Sequence, residues 1–495
     1  MNRKYLLVSI ALVVKVLFFL FFWFHFNKNF SQKGKQQLLY GIVMSGHDTQ
    51  GYLDPAQNFF TGKGYVDQSG NPTAFRMPGL AVVYGPLFFF LGAKTGAVLF
   101  VFLQLLLGSF SVYYLSKTAY FIFEKQIVFF TTFIVYLFSS FVSIYDHYLL
   151  SESFTTYFLI FSVYFFIKYL KNENYNTLLL SGIFVGIASL YRPAVIFVVF
   201  SLTCLLLLNG FYNKKRVKKI AQSLLCFGIS AFLLLGAWTL RNYLVFEKVI
   251  PFVDHGITKS ERGIFDLTTA QGANWYTHDG VKGKFFHWYF PSFQSFDGMN
   301  QYYDEQFSKS NPFDESKYTP DYNFDSLLVM RNYCWLALDP TSGIDDSTRN
   351  HFDKKVGEMA VRFRQSYIKH HLFDFLIINK LKLFKEMIFV TKSYGLPLIK
   401  NTVTDKLIRR AYLVYYYLVA IFGLIYSTIL LLKKYKNTKV ITLPFLIWVF
   451  IGSHVIISFV ENRYLVPIYP FLCVITSGLI VELIYRIKNN LVTYK

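Results

Sequence analysis

Long apolar runs separated by short polar or basic segments dominate the chain. Roughly ten of these runs approach the ~20 apolar residues that cross the hydrocarbon core of a bilayer. In lipid, a single segment satisfies its own backbone hydrogen bonds only as a helix. The pattern therefore predicts an all-α polytopic membrane protein with about ten spans. The predicted spans lie near residues 5–26, 97–115, 127–144, 153–170, 177–208 (two spans), 220–240, 412–432, 441–460 and 464–485.

Three segments depart from this simple pattern. Residues 79–92 are apolar but interrupted by Gly85 and Pro86, which predicts a shallow interfacial or re-entrant piece. Residues 177–208 carry the Arg192–Pro193 pair near their middle. This favours two short spans meeting outside the membrane, with one bent helix as the alternative. In residues 372–389, lysines and apolar residues segregate at helical spacing, a pattern typical of a helix lying in the membrane interface.

Polar composition divides the chain into four regions. Residues 1–249 are predicted to form an N-terminal membrane module that carries the candidate catalytic loops. Residues 250–374 are the long polar region, and their turn signals and aromatic content predict a small mixed α/β soluble region on the outer face. Residues 375–410 are predicted to be an interfacial amphipathic segment, and residues 411–495 the C-terminal membrane spans.

Charge fixes the predicted orientation. The 495 residues carry a net charge of +21, but Lys and Arg cluster beside the apolar runs, as the positive-inside rule expects of cytoplasmic linkers. The charge therefore indicates membrane lipids rather than nucleic acid as partners. An even number of spans then places both termini in the cytoplasm and the first polar loop outside. That first run lacks a small-residue cleavage site, which predicts a retained helix.

The outward ends of the predicted spans share a set of ionisable residues. Buried charges at such positions are costly unless they are paired, so acids and arginines that converge on one face indicate a site. Such a site would bind an anion through arginine and use a carboxylate on it, which suits a phosphate-bearing lipid. The set consists of Asp48, Asp54, Arg76, Asp146, His147, Glu152, Arg192, Arg241, Glu461 and Arg463.

Asp48 is the central candidate in this set. It lies in the polar loop 46–80, between two strongly apolar segments. The functional interpretation makes it a catalytic base, whereas the structural one makes it an N-cap for the helix that follows. Asp54, which precedes Pro55, is expected to cap the next helix. No metal-ligand spacing is present, and no structural disulfide is expected in the predicted soluble region, where Cys334 has no partner cysteine.

An ordered set of short motifs resembles a known family. Together these motifs resemble the C-type membrane glycosyltransferases, specifically the bacterial relatives of the protein O-mannosyltransferases and of the aminoarabinose lipid A transferases. The resemblance covers about residues 5–241 and the last spans, and does not reach most of 250–374. The motifs are HDTQGYLDPAQNFFTGKGY, FRMPGL, HYLLSES, GIFVGIASLYRPA, WTLRNYLVF and NRYLVPIYPF.

The resemblance implies an inverting transfer of a sugar from a polyprenyl-phosphate or diphosphate carrier to a lipid, glycan or protein acceptor outside the membrane. Asp48 would be the general base, and Glu152 would orient the acceptor or help to hold a divalent ion. Metal dependence stays open, because His47 stands where many relatives have Gly or Asp. The remaining candidates would bind substrate, with the arginines stabilising the leaving phosphate. They are Arg76, Asp146, Arg192, Arg241 and Arg463.

Structural alternatives accompany these roles. Glu152 could equally form a structural ion pair, and Arg76 could hold its loop onto the membrane. Arg241 and Arg463 lie at span ends, where arginines often extend toward the interface. At the level of the whole protein, a transporter or flippase of a lipid-linked glycan and a glycan polymerase or ligase are the alternatives. Abundant Lys, Asn, Ile, Tyr and Phe indicate an AT-rich bacterial genome, and hence the bacterial plasma membrane.

Overall fold

The computed structural model describes residues 3–29, 38–40, 42–45, 48–253, 318–338, 344–389, 403–457, 460 and 462–493. Helices dominate this part of the chain, because an apolar run in lipid satisfies its own backbone hydrogen bonds only as a helix. Two two-residue strands, β1 (Leu38–Leu39) and β2 (Val43–Met44), pair antiparallel. The first half contains α1 (Arg3–Asn29), α2 (Thr49–Phe60), α3 (Gly79–Phe123), α4 (Gln126–Leu137), α5 (Ser140–Ser143), α6 (Glu152–Asn172), α7 (Tyr175–Ser189), α8 (Ile196–Tyr212) and α9 (Val217–Phe246).

The second half continues with α10 (Phe324–Leu338), α11 (Asp346–His370), α12 (Asn379–Ile388), α13 (Val403–Lys434), α14 (Thr438–Ile456) and α15 (Tyr469–Thr493). Short 3₁₀ turns at Ile144–His147, Pro193–Val195 and Asn462–Leu465 join some of these helices, and a π-helical turn at Asp374–Ile378 leads into α12.

The membrane-spanning character of the sequence is confirmed. Within the described residues, eight helices are long and apolar enough to cross a membrane, and a ninth candidate is the pair formed by α4 and residues 140–147, bent by 46°. Helix α7 is a shorter apolar helix. Each predicted span therefore corresponds to a helical segment, and the all-α polytopic class is correct, whereas the count of about ten stays a prediction.

The predicted interruption of segment 79–92 at Gly85 and Pro86 is wrong. Helix α3 continues through Gly85 and Pro86 and is interrupted at Gly92, where φ is 77° and ψ is 168°. Pro86 is the eighth residue of the helix and cannot donate to the Val82 carbonyl, yet the helix continues through it. Glycine is the residue that adopts positive φ without a steric penalty. The kink at Gly92 therefore separates a short apolar arm from the long span that follows.

Residues 177–208 form two helices rather than one. Helix α7 ends at Ser189, and α8 begins after the 3₁₀ turn Pro193–Val195. The division falls at Arg192 and Pro193, because the residue before a proline is disfavoured in the helical conformation. Arg192 itself has extended backbone angles. This geometry leaves the Arg192 side chain at the meeting point of the two helices.

The polar region is described only in part. Residues 254–317 and 339–343 lie outside the described residues, so the prediction of a mixed α/β region is not tested there. The described remainder is helical, with α10 and α11 packed together and an isolated bridge between Thr319 and Tyr322. Asp345 caps α11 by accepting a hydrogen bond from the Thr348 N–H. The predicted interfacial stretch is helical up to Ile388, and residues 390–402 lie outside the description.

Ion pairs at the ends of the helices agree with the predicted alternation of sides. Lys215 lies 2.7 Å from Glu173 and Lys439 lies 2.6 Å from Glu124, and all four residues belong to linkers predicted to be cytoplasmic. The acids and arginines predicted for the opposite side pair with one another, as described below. Each of the two pairs thus joins linkers that the charge pattern assigns to one side, and which side of the membrane that is stays a prediction.

Candidate functional site

Asp48 is held by two arginines from opposite ends of the chain. Its Oδ1 lies 2.6 Å from Nη2 of Arg76, and its Oδ2 lies 2.8 Å from Nη1 of Arg463. Although Asp48 directly precedes α2, its side chain makes no capping hydrogen bond to that helix. The N-cap alternative is therefore not what the structure adopts, and both oxygens of the carboxylate face guanidinium groups.

This environment keeps Asp48 ionised. Burial alone raises the pKa of a carboxyl group because it disfavours the charged form. Here the positive charges of Arg76, Arg463 and Arg192 outweigh burial and lower the pKa of Asp48 to about 2. At neutral pH the side chain is consequently an anion fixed between cations.

Glu152 forms a second acid–arginine pair. It is the first residue of α6 and is only 3% exposed, and its Oε1 lies 2.9 Å from Nη1 of Arg192. The N–H of Arg192 is not aligned for a hydrogen bond to this oxygen, so the contact is electrostatic. Three buried polar atoms here find no hydrogen-bond partner among the described residues: Oε2 of Glu152, Nη1 of Arg192 and Nε of Arg76. Buried polar atoms are usually satisfied, so three unsatisfied polar atoms at one place mark it as a candidate binding site.

The two pairs belong to one cluster around Tyr464. The guanidinium carbon of Arg192 lies 5.3 Å from the centre of the Tyr464 ring, and that of Arg463 lies 5.9 Å from it. We call Asp48, Arg76, Glu152, Arg192 and Arg463 the acid–arginine cluster. Three guanidinium charges against two carboxylate charges leave one net positive charge. The cluster can therefore accept an additional anion such as a phosphate.

Short contacts between loops hold the cluster together. The Gly79 N–H donates to the Leu190 carbonyl at 2.7 Å, which joins the end of the first loop to the turn that carries Arg192. A side chain at Gly79 would collide with that carbonyl, so the approach requires glycine. Asn462, next to Arg463, donates to the Met387 carbonyl at 3.0 Å and thereby ties the last loop to α12.

The second loop is joined to the first. Met44 of β2 forms an isolated bridge with Tyr148, and the Leu149 N–H donates to the Met44 carbonyl at 3.3 Å. The Tyr52 hydroxyl lies 3.3 Å from Oγ of Ser151, the residue before Glu152. These contacts set the separation between the loop of Asp48 and the helix that begins at Glu152.

Arg241 lies apart from the acid–arginine cluster. Its Nη1 donates to the Thr73 carbonyl at 2.9 Å, and its Nη2 donates to the Tyr65 carbonyl at 2.8 Å. The guanidinium also lies 5.3 Å from the centre of the Trp238 ring. The structure thus gives Arg241 the task of anchoring the first loop on α9, and substrate binding by this residue has no support from its contacts.

Loss of this anchor should loosen the first loop. In the variant Arg241→Met, two hydrogen bonds from a charged donor disappear, each contributing about 1.5–3 kcal/mol. We expect trypsin to cleave faster after the exposed Lys63 in this loop, measured by limited proteolysis of the purified protein in detergent. Cleavage in the basic linker before α9 serves as the internal control. Equal rates at Lys63 in both proteins would contradict the anchoring role.

Asp146 is also separate from the cluster. It is buried, and its oxygens are engaged by Lys15, Ser153 and Tyr157. Lys15, the partner of Asp146, was not among the predicted site residues. A lysine inside the first apolar run is the sequence signal that points to it, because an unpaired charge there is costly.

The remaining candidates are either elsewhere or outside the description. His47 and Glu461 lie outside the described residues. Asp54 does not cap a helix, since it lies within α2 and accepts a hydrogen bond from Gln50. The ring of His147 stacks on Phe19 with centroids 4.7 Å apart.

A divalent ion fits poorly at Asp48. Within the part of the chain that the structure describes, no group of three or more His, Cys, Asp and Glu side chains is placed to hold a metal ion. Both oxygens of Asp48 already contact guanidinium groups, whose charge repels a cation. The arrangement instead suits a negatively charged ligand.

Comparison with known proteins agrees with the motif resemblance. The family model described as dolichyl-phosphate-mannose-protein mannosyltransferase matches residues 86–238. This match confirms the resemblance to C-type glycosyltransferases over that segment, which is less than half of the chain. No curated protein matches the sequence.

Three solved structures are similar at low scores. The oligosaccharyltransferase AglB from Archaeoglobus fulgidus, in complex with an inhibitory peptide and a dolichol-phosphate, has a TM-score of 0.47 at 9% identity, over 99% of this chain and 52% of that chain. The oligosaccharyltransferase of the same organism, tethered to an acceptor peptide, has a TM-score of 0.48 at 10% identity, over 98% of this chain and 50% of that chain. ArnT from Cupriavidus metallidurans has a TM-score of 0.32 at 12% identity, over 94% of this chain and 77% of that chain. The chain spans about half the length of the oligosaccharyltransferase structures it matches.

Proposed function

We propose that this chain, which matches the dolichyl-phosphate-mannose-protein mannosyltransferase family over residues 86–238, is a membrane glycosyltransferase that moves a sugar from a polyprenyl-phosphate carrier to an acceptor. The observation that carries the proposal is the acid–arginine cluster, in which Asp48 lies between Arg76 and Arg463. An ionised carboxylate beside excess positive charge suits a reaction that removes a proton and releases a phosphate. The family match supports the class of donor.

In the proposed reaction the acceptor oxygen attacks the anomeric carbon as the bond from that carbon to the carrier phosphate breaks. Asp48 receives the proton from the acceptor hydroxyl, and the sugar is transferred with inversion. The electron pair of the broken bond stays on the carrier phosphate, where Arg192 and Arg463 stabilise the additional charge. Glu152, with one oxygen facing Arg192 and one without a described partner, is placed to orient the acceptor.

The base strength of Asp48 must change during this cycle. Its pKa of about 2 makes it a weak base while both oxygens contact arginines. A carrier phosphate that draws the Arg463 guanidinium toward itself removes one of these cations from the carboxylate. Fewer cations then oppose the effect of burial, so the pKa of Asp48 rises and the carboxylate becomes a stronger base. Donor binding thus prepares the base.

Arg463→Gln tests this coupling. Removing one cation should raise the pKa of Asp48, so the acidic limb of kcat/KM against pH should move to higher pH, because the profile of kcat/KM reports the free enzyme. The wild type should show no such limb from Asp48 between about pH 4 and 8. The comparison uses Arg486→Gln, which removes a charge from the exposed end of α15. A profile of Arg463→Gln that coincides with the wild type would disprove the coupling.

The chain would lie in the bacterial plasma membrane with both termini in the cytoplasm and the acid–arginine cluster outside. The lysine–glutamate ion pairs between linkers predicted to be cytoplasmic support this orientation. A lipid-linked donor would then reach the cluster with its headgroup at the outer surface and its chain in the bilayer.

Mass spectrometry of cell-surface material tests the activity in cells. Cells with and without the protein are compared for glycolipids, polysaccharides and glycoproteins. We expect one sugar modification to disappear with the protein and to return with the wild type but not with Asp48→Asn. A lipid-linked glycan that accumulates on the cytoplasmic leaflet instead, and is restored by both proteins, would contradict transfer and support a flippase.

A further inference from the structure

A buried ion pair lies within the helix bundle, away from the acid–arginine cluster. Lys15 is near the middle of α1, and its Nζ lies 2.8 Å from Oδ2 of Asp146. The Lys15 side chain is 2% exposed and that of Asp146 is 1% exposed. Charged side chains in membrane helices are rare and commonly mark a function. This pair is not used in the reaction proposed above.

Both members of the pair make further hydrogen bonds. The Ser153 hydroxyl donates to Oδ1 of Asp146 at 2.8 Å, and the Tyr157 hydroxyl donates to the same oxygen. Lys15 also donates to the Ser143 hydroxyl at 3.3 Å. Gln104 of α3 donates to the Asp146 and Tyr148 carbonyls at 3.1 Å each. The network therefore joins α1, α3, α6 and the 3₁₀ turn that contains Asp146.

The network reaches the acid–arginine cluster through the backbone. Ser153 is the residue after Glu152, so its hydrogen bond to Asp146 fixes the first turn of α6. Tyr148, whose carbonyl Gln104 holds, bridges Met44 in the strand that leads to Asp48. The segment 144–153 thus contacts both the helix that carries Glu152 and the loop that carries Asp48.

We propose that Lys15 and Asp146 are positioning residues that fix segment 144–153 and thereby hold Glu152 and the Asp48 loop at their working separation. The proposal rests on the glycosyltransferase function proposed above. Direct contact of Asp146 with substrate is excluded in this geometry, because its oxygens are occupied and its side chain is enclosed. Stability alone is a weak reason for the pair, since an apolar pair of similar volume often stabilises a fold equally well.

The first test measures mobility rather than activity. In Lys15→Met the positive partner is lost, and we expect faster amide hydrogen exchange across residues 144–153, measured in detergent micelles. Lys4→Met is the matched control, because Lys4 lies on the same helix but donates to Tyr114. Unchanged exchange across 144–153 in Lys15→Met would overturn the positioning role, whatever reaction the protein catalyses.

The second test separates positioning from folding. The double variant Lys15→Met/Asp146→Leu replaces the ion pair by apolar side chains and should fold nearly as well as the wild type. It lacks the bonds to Ser153 and Tyr157, so we expect kcat per folded molecule to fall by about 10- to 100-fold with donor KM little changed. Wild-type kcat in the folded double variant would overturn the proposal.

A milder variant, Ser153→Ala, perturbs the network without changing either charged residue. Ser153→Ala removes one hydroxyl and one hydrogen bond to Asp146, and we expect kcat about 3- to 10-fold below wild type with KM unchanged. Unchanged kcat in Ser153→Ala would count against the proposal. Absence of transfer by the wild type would instead contradict the proposed function, and the exchange measurement would still decide the positioning role.

Discussion

Asp48→Asn is expected to lower the turnover number by about 100- to 10,000-fold, the range in which a positioned general base contributes. Asparagine keeps the shape of the side chain but cannot take the acceptor proton. Because Arg192 and Arg463 remain to hold the carrier phosphate and residue 48 no longer competes for Arg463, donor binding should be kept or strengthened. Transfer is measured with purified protein at saturating donor, and donor binding is measured separately with the unsugared polyprenyl phosphate.

Asp54→Asn is the matched control for this loss. Asp54 lies in the helix that follows Asp48, and it contacts Gln50 rather than an arginine. The same chemical change there should leave turnover within about threefold of wild type, as for a surface substitution. Equal activity of Asp48→Asn and Asp54→Asn would show that Asp48 is not the base.

Arg192→Met is expected to destabilise the fold by about 3–5 kcal/mol, the cost of leaving one member of a buried ion pair without its partner. Glu152 is 3% exposed and faces Arg192, so methionine leaves its carboxylate enclosed without a cation. The measurement is thermal unfolding in detergent, where the apparent melting temperature should fall by several degrees.

The double variant Glu152→Gln/Arg192→Met identifies the cause of the stability loss in Arg192→Met. Neutral glutamine removes the stranded charge, so most of the lost stability should return even though activity does not. If the single and double variants unfold at the same temperature, the loss comes from packing around Tyr464 rather than from the charge of Glu152. That result would contradict the electrostatic account of this pair.

The helices were predictable from the sequence because their cause is local. Uninterrupted apolar runs can satisfy their backbone in lipid only as helices, and the structure has a helix at each predicted span. The position of the break in residues 79–92 was not predictable in this way. Pro86 and Gly92 both permit a break, and the packing of the two arms decides between them.

The contacts of the site depend on packing that local patterns do not encode. Asp48 was a candidate from its loop, but its choice between capping α2 and pairing with arginine depends on Arg463, which is 415 positions away. The sequence alone does not distinguish the roles of Arg241 and Arg192, since both residues follow apolar runs. Their roles differ because α9 meets the first loop whereas the α7–α8 junction meets Glu152.

The need of Lys15 for a buried partner, in contrast, could be predicted from the sequence. A single lysine in the middle of an apolar run is visible in the sequence, and its cost in lipid implies a partner. Several acids near the outward ends were available as that partner. The structure selects Asp146 because α1 packs against α3 and the 3₁₀ turn.

The most direct measurement of the central claim is sugar transfer by the purified protein in proteoliposomes that contain labelled polyprenyl-phosphate sugars extracted from bacterial membranes. The account predicts that wild-type protein releases the carrier phosphate and moves the label to an acceptor in a crude envelope fraction, and that Asp48→Asn does neither at a comparable rate. Label that remains entirely on its carrier with wild-type protein, across donor and acceptor fractions, would contradict the account.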